Sequence, residues 1–248
     1  MKVQVSWPPY NLEADLMAPR DISIAHRTRE AVNAFDLPDA QVEPFRVSGF
    51  TGRVAEGGSC NVDGLRLYPH GNGTHTEGLG HINREHTPLE GTLNRFFFCA
   101  YLCTATVPAD AAAPAAECAQ LDEAMAWQPE AIVVRTLSND PSKKKRRYAG
   151  TRPIFLGPQT MQAISASKVA HLVVDLPSVD DENDARLTNH HMYWGIPDRP
   201  RTERTITELV YIPDDLPDGP YLLQMCPPPI DRTDAVPSRI ILYALRTV

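Results

Sequence analysis

Ala131-Ile132-Val133-Val134-Arg135-Thr136 is a continuous apolar run that turns polar only at its end. Strands half exposed to water alternate apolar and polar residues; an unbroken run instead predicts a strand buried on both faces. Val169–Leu176, VAHLVVDL, repeats the pattern. Between them lie a polar loop, SNDPSKKKRRYAG, and Gly157–Lys168, where Met161 and Ile164 are spaced to share a helical face. Upstream, Arg95–Val107, RFFFCAYLCTATV, is rich in β-formers, residues 108–117 read as a Pro/Ala loop and 118–127 as a short helix. Downstream, Asp184–Tyr193 reads as a helix, and Thr205–Ile212, Tyr221–Met225 and Ser238–Leu245 read as strands, with a DDLPDG turn after the first of them. Strands mixed with helices, several strands being wholly apolar, predict an α/β or α+β domain with a mixed sheet.

Toward the N-terminus, Asp21–Ile24 is a short strand candidate, and residues 45–52 and 63–69 alternate as strands do. Residues 1–20 hold Pro8, Pro9 and Pro19 and read as an irregular arm, leaving 21–248 as one domain. The chain has 248 residues, 42% of them apolar, which is enough for a packed core. Its formal net charge of -7 argues against general polyanion binding. No apolar run approaches a membrane span, and MKVQVSWPPYNLEADL lacks the apolar stretch of a signal peptide, so a cytoplasmic location is expected. The five cysteines then fit free thiols better than disulfides, and Cys99 and Cys103 read as small buried residues rather than half a metal site.

The chemistry concentrates in Pro69-His70-Gly71-Asn72-Gly73-Thr74-His75-Thr76-Glu77-Gly78-Leu79-Gly80-His81. Its glycines argue against a helix and let side chains converge. On an extended segment His75 and Glu77 share a face. Imidazole with carboxylate suits Zn, Mn, Fe or Co rather than Ca or Mg. Further ligands must come from elsewhere: His190-His191, and Glu208, a carboxylate among Ile206, Leu209 and Val210 that is costly to bury unless paired or metal-bound. Asp175 has the same ambiguity.

Gly73–His81 resembles, in register, the HxGTHxDxPxH signature of the cyclase-like metal-dependent hydrolases that include bacterial kynurenine formamidase and isatin hydrolase. Val173–Asp180, His190-His191, Glu208, Pro217–Leu223 and Pro237-Ser238-Arg239 resemble further blocks in the same order, and Asp21-Ile22-Ser23 resembles the opening strand. The resemblance implies a swivelling β/β/α cyclase-like fold and a homodimer. It implies metal ligands at His70, His75, Glu77, His190 and Glu208, one or two divalent ions (Zn or Mn), and His81 as the acid/base residue. It also implies hydrolysis of a C–N bond, in an amide, aryl formamide or cyclic amide, by metal-activated water. Three departures stand out. His70 lies five rather than four residues before His75, Glu77 replaces Asp, and Leu79 replaces Pro. The spacing makes His70 the weaker ligand, and His190 and His191 remain alternatives.

Two other readings stay open: a non-catalytic metal- or ligand-binding protein on this scaffold, and a lactone or ester hydrolase. The expected partner is a small-molecule substrate, with neither nucleic acid nor membrane. The basic run Lys143-Lys144-Lys145-Arg146-Arg147 reads as a solvated loop, with Arg146, Arg147 or Tyr148 in reach of an anionic substrate.

Overall fold

The computed structural model describes all of residues 1–248. Four strands lie parallel at its centre: Phe97–Thr106, Ala131–Thr136, His171–Val174 and Thr205–Glu208. Antiparallel strands extend the sheet on both sides. Beyond Phe97–Thr106 come Gly219–Cys226, Arg239–Thr247, Tyr10–Asp15 and Lys2–Trp7, and beyond Thr205–Glu208 come His75–Glu77 and Ala235–Pro237. With the short pairings at its margins this is one mixed sheet of thirteen strands.

The unbroken apolar runs are explained by two covered faces. Ile132, Val134, Leu172, Val174 and Ile206 pack beneath the helices Pro158–Ala166 and Thr188–Trp194, against Met161, Ile164, Tyr193 and Trp194. Ala131, Val133 and Val173, the alternate residues, join Leu223, Met225, Ile240 and Leu242 in a second cluster. Each fully buried aliphatic side chain contributes ~1.5–3 kcal/mol relative to exposure, so a strand covered on both faces gains from every residue rather than from alternate ones. No helix is long and apolar enough to cross a membrane.

Several expectations need correction. Residues 1–20 are not an irregular arm: Lys2–Trp7 and Tyr10–Asp15 form a hairpin continuing the sheet, with Leu12 and Ala14 buried. Pro8 and Pro9 occupy the turn, where neither strand needs their missing N–H. The Trp7 indole N–H donates to the Trp127 carbonyl at 2.7 Å, and Tyr10 stacks on Trp127 with ring centroids 4.0 Å apart. The segment 108–117 is not all loop, because Ala115–Cys118 pairs with Phe97–Thr106. The alternating stretches near 45–52 and 63–69 form small ribbons outside the main sheet, Arg46–Val47 with Phe50–Thr51 and Gln41–Pro44 with Asp63–Arg66. The basic run is not a simple solvated loop either. Lys143 is buried against Asp175, Lys144 lies over the Tyr211 ring, and Lys145 and Arg147 pair with Glu30 and Asp39.

His171 opens a central strand with its ring 4.1 Å from that of Phe98 and Nδ1 2.9 Å from Thr205 Oγ1. Burial pushes its pKa down from 6.5 to about 4. The unfolded chain therefore binds this proton at a higher pH than the folded one. Stability is complete above the unfolded value and falls as pH drops from 6.5 toward 4. Urea midpoints measured across that window should fall more steeply for the parent than for His171→Gln. Parallel slopes would remove His171 as a cause.

Candidate metal centre

Glu208 is the last residue of a central parallel strand, and the carboxyl ends of such strands are where α/β sheets gather ligands. The antiparallel partner His75–Glu77 sets His75 opposite Glu208 and Glu77 opposite Ile206. Alternation sends His75 and Glu77 to one face, while Thr76 turns the other way to Thr207, hydroxyl to hydroxyl at 2.8 Å. Thr74 anchors the approach: its hydroxyl donates to the Leu209 carbonyl at 2.5 Å and accepts from the Ile24 N–H at 2.6 Å. His70 comes from a one-turn helix, Pro69–Asn72, and His81 from a 3-10 turn, Leu79–His81. The glycines thus did not exclude a helical turn, because Pro69 pre-sets its first residue. His190 arrives from the helix Thr188–Trp194, and Asp234 from the residue before Ala235–Pro237.

These side chains meet around Glu77, which is wholly buried. Its Oε2 lies 3.0 Å from His70 Nδ1, 3.9 Å from His81 Nδ1 and 4.0 Å from His75 Nε2. Its Oε1 lies 3.1 Å from His190 Nε2, and Glu208 Oε2 lies 3.5 Å from His75 Nε2. The far nitrogens fix how the rings are used. His75 Nδ1 donates to the Gly73 carbonyl at 3.0 Å, so Nε2 presents a lone pair to the carboxylates. His190 Nδ1 meets Asp180 at 2.5 Å and His70 Nε2 meets Asp234 at 2.8 Å, the outer-partner arrangement typical of metal-bound histidines.

Two buried polar atoms here lack an aligned hydrogen bond: His75 Nε2 has no partner, and Glu77 Oε2 has only the His70 Nδ1 contact at 3.0 Å. Leaving such atoms unpaired is expensive, and both are Lewis bases aimed at the same spot. Donors held about 2.1 Å from one ion stand ~3.0 Å apart at right angles, ~3.4 Å at tetrahedral angles and ~4.2 Å across the ion. The separations fall in that range. Two donor groups share Glu77: His75, Glu77 and Glu208, all buried, and His70, Glu77 and His81, which is partly open to solvent. The residues present fit a divalent cation at either group, or one at each.

The charges are distributed accordingly. Burial opposes ionisation of His70 and His190, yet Asp234 and Glu77 raise the first to about 10 and Asp180 and Glu77 raise the second to about 10. Burial pushes His75 down to about 3, keeping its lone pair free. Burial and the nearby Glu77 charge raise Glu208 to about 8. Without another cation, protons must hold the cluster together.

The "Putative cyclase" family model matches residues 20–181, which contain His70, His75, Glu77, His81 and Asp180. The chain belongs to the cyclase family. Solved structures share its fold. An isatin hydrolase bound to the product analogue thioisatinate aligns with a TM-score of 0.62 at 13% identity, over 92% of this chain and 92% of that one. Isatin hydrolase A from Labrenzia aggregata, bound to benzyl benzoate, gives 0.59 at 14% identity over 91% and 94%. A potential metal-dependent hydrolase with cyclase activity gives 0.57 at 13% identity over 91% and 97%.

Within this cyclase-family fold, all six residues singled out in the sequence come together. His190 rather than His191 enters the cluster, and Glu208 is buried rather than facing outward, its Oε1 accepting the Val179 N–H at 3.1 Å. Asp175 is not part of the cluster; it pairs with Lys143. Sequence reading missed Asp234, which joins His70 and His81, and gave no role to Asp180. Asp234 stands in DRTDAVP, which looks like any polar turn and offers no signal. Gly80 is constrained too: a Cβ there would lie 2.0 Å from the Thr87 carbonyl oxygen. Gly80→Ala should cost about 1–3 kcal/mol, the usual penalty of overpacking, read as a lowered thermal midpoint. An unchanged midpoint would show that the 86–88 segment yields freely.

Proposed function

We propose that this chain is a metal-dependent hydrolase that cleaves the C–N bond of an amide, aryl formamide or cyclic amide with activated water. The observation that carries this reading is a pair of buried Lewis bases 4.0 Å apart and beside Glu208, His75 Nε2 with no hydrogen-bond partner and Glu77 Oε2 with only His70 Nδ1 in reach. His70, His75, Glu77, His190 and Glu208 would hold one or two ions, with Zn or Mn suited to these donors. Such an ion, when bound, acidifies water and polarises a carbonyl.

The chain's own groups supply the rest. His81 Nδ1 lies 3.3 Å from Asp234 Oδ2, an orientation that leaves Nε2 able to take a proton from water and give it to the leaving nitrogen. Asp234 would hold that ring in place and His70 with it. His81, His70 and Asp234 are the partly exposed members of the cluster, so substrate would enter from their side.

The test is metal analysis of protein purified without chelator, followed by assays on formamide, cyclic-imide and lactone substrates. We expect bound Zn or Mn and turnover of a C–N substrate that is lost on chelation and restored by metal. Turnover of lactones alone would move the bond to C–O. Protein that takes up no divalent ion at all would overturn the reading.

A further inference from the structure

The basic run has a use outside the metal centre. A cavity of about 320 Å³ opens at the carboxyl ends of Ala131–Thr136 and His171–Val174. Its walls carry three cations, Lys143, Arg146 and Arg152, and one carboxylate, Asp175. Asp175 is already committed. Lys143 Nζ donates to its Oδ2 at 2.7 Å and to Thr136 Oγ1 at 3.0 Å, and the Thr136 N–H and hydroxyl donate to Asp175 as well. That buried pair is neutral overall and leaves the two arginines uncompensated within the cavity.

Neither arginine is held by a strong internal partner. Arg146 has no carboxylate within salt-bridge distance; it donates to Ser142 Oγ at 3.2 Å and lies 5.8 Å from the Tyr148 ring centre. Arg152 reaches Asp181 at 3.7 Å with its side chain 56% exposed, a pairing worth little in water. Tyr148 is buried, and burial raises its phenol to about 12, so it stays a neutral donor. Ile154 and Pro177 complete the wall with apolar surface. Ligand pockets of small molecules combine this kind of apolar wall with a few convergent polar groups.

We propose that this cavity binds a small organic carboxylate, its anionic end between Arg146 and Arg152 and its carbon skeleton against Ile154 and Pro177. Arginine suits the role because its planar fork matches the two oxygens of a carboxylate. The cavity shares no lining residue with the metal centre. It backs onto it, because the segment that contributes Asp175 and Pro177 continues to Val179 and Asp180, which bond Glu208 and His190. The site is therefore separate from the proposed hydrolase chemistry and stands or falls apart from it.

Calorimetric titration with phenylacetate and with its neutral isostere phenylacetamide tests it on the full chain. Saturable phenylacetate binding is expected, with phenylacetamide at least about tenfold weaker, the usual worth of a charge-assisted hydrogen bond. Arg146→Gln and Arg152→Gln should each weaken phenylacetate about tenfold without changing the thermal midpoint. Chelator-treated protein should bind phenylacetate as before. Equal affinity for acid and amide, indifference to both substitutions, or loss of binding on chelation would each overturn the proposal, the last by placing the anion at the metal.

Discussion

His75→Ala is expected to leave the protein without retained metal and without any response to chelators. The parent's thermal midpoint should fall on chelation, because an ion bound only by the native state stabilises it by ~4 kcal/mol at a thousandfold excess over its Kd. His75 contributes more than a donor atom. It is completely buried, and Nδ1 is tied to the Gly73 carbonyl, so no neighbouring residue can substitute for Nε2. With the ion lost, Glu77 and Glu208 would face each other without that cation's neutralisation. His70→Ala should do less, since His70 is partly exposed and sits on a single helical turn. Elemental analysis of both variants decides the matter: full metal content in His75→Ala would remove the centre as described.

The second large effect concerns His81. His81→Ala should keep its metal and lose turnover by about 10²–10⁴, the usual range for a positioned acid/base group. The loss should fall on kcat, with KM little changed, because the ring is proposed to move a proton rather than to hold substrate. His81 also belongs to a donor group with His70 and Glu77. A variant that loses metal would make it a ligand, and one with full activity would end its assignment as acid/base.

The part of the site that could be read from sequence is the part confined to one segment. His75 and Glu77 were legible because a strand's two-residue period dictates that they share a face. The misplaced spacing of His70 had a reading that the sequence did not reveal. A helical residue advances ~1.5 Å and a strand residue ~3.3 Å, so one turn over Pro69–Asn72 absorbs an extra residue without moving the ring out of reach. Glu208 was suspect only because a carboxylate among aliphatic neighbours needs a partner. Asp234 carried no such mark: its importance comes from the pairing of Ala235–Pro237 with His75–Glu77, a long-range contact that no local pattern encodes. At the N-terminus the prolines misled in the opposite direction, since three of them suggest an irregular arm unless two happen to fall in a turn.

The pairing of His75–Glu77 with Thr205–Glu208 and Ala235–Pro237 would also fix when the proposed centre could acquire an ion. A chain growing on the ribosome displays the His70–His81 segment long before Glu208 and Asp234. Until those residues emerge and the central strands align, the early segment is a loose histidine-rich loop with no ion selectivity. Loading at the proposed centre would therefore wait for Glu208 and Asp234, and a finished cage would choose its ion from whatever metal the surroundings offer at that moment.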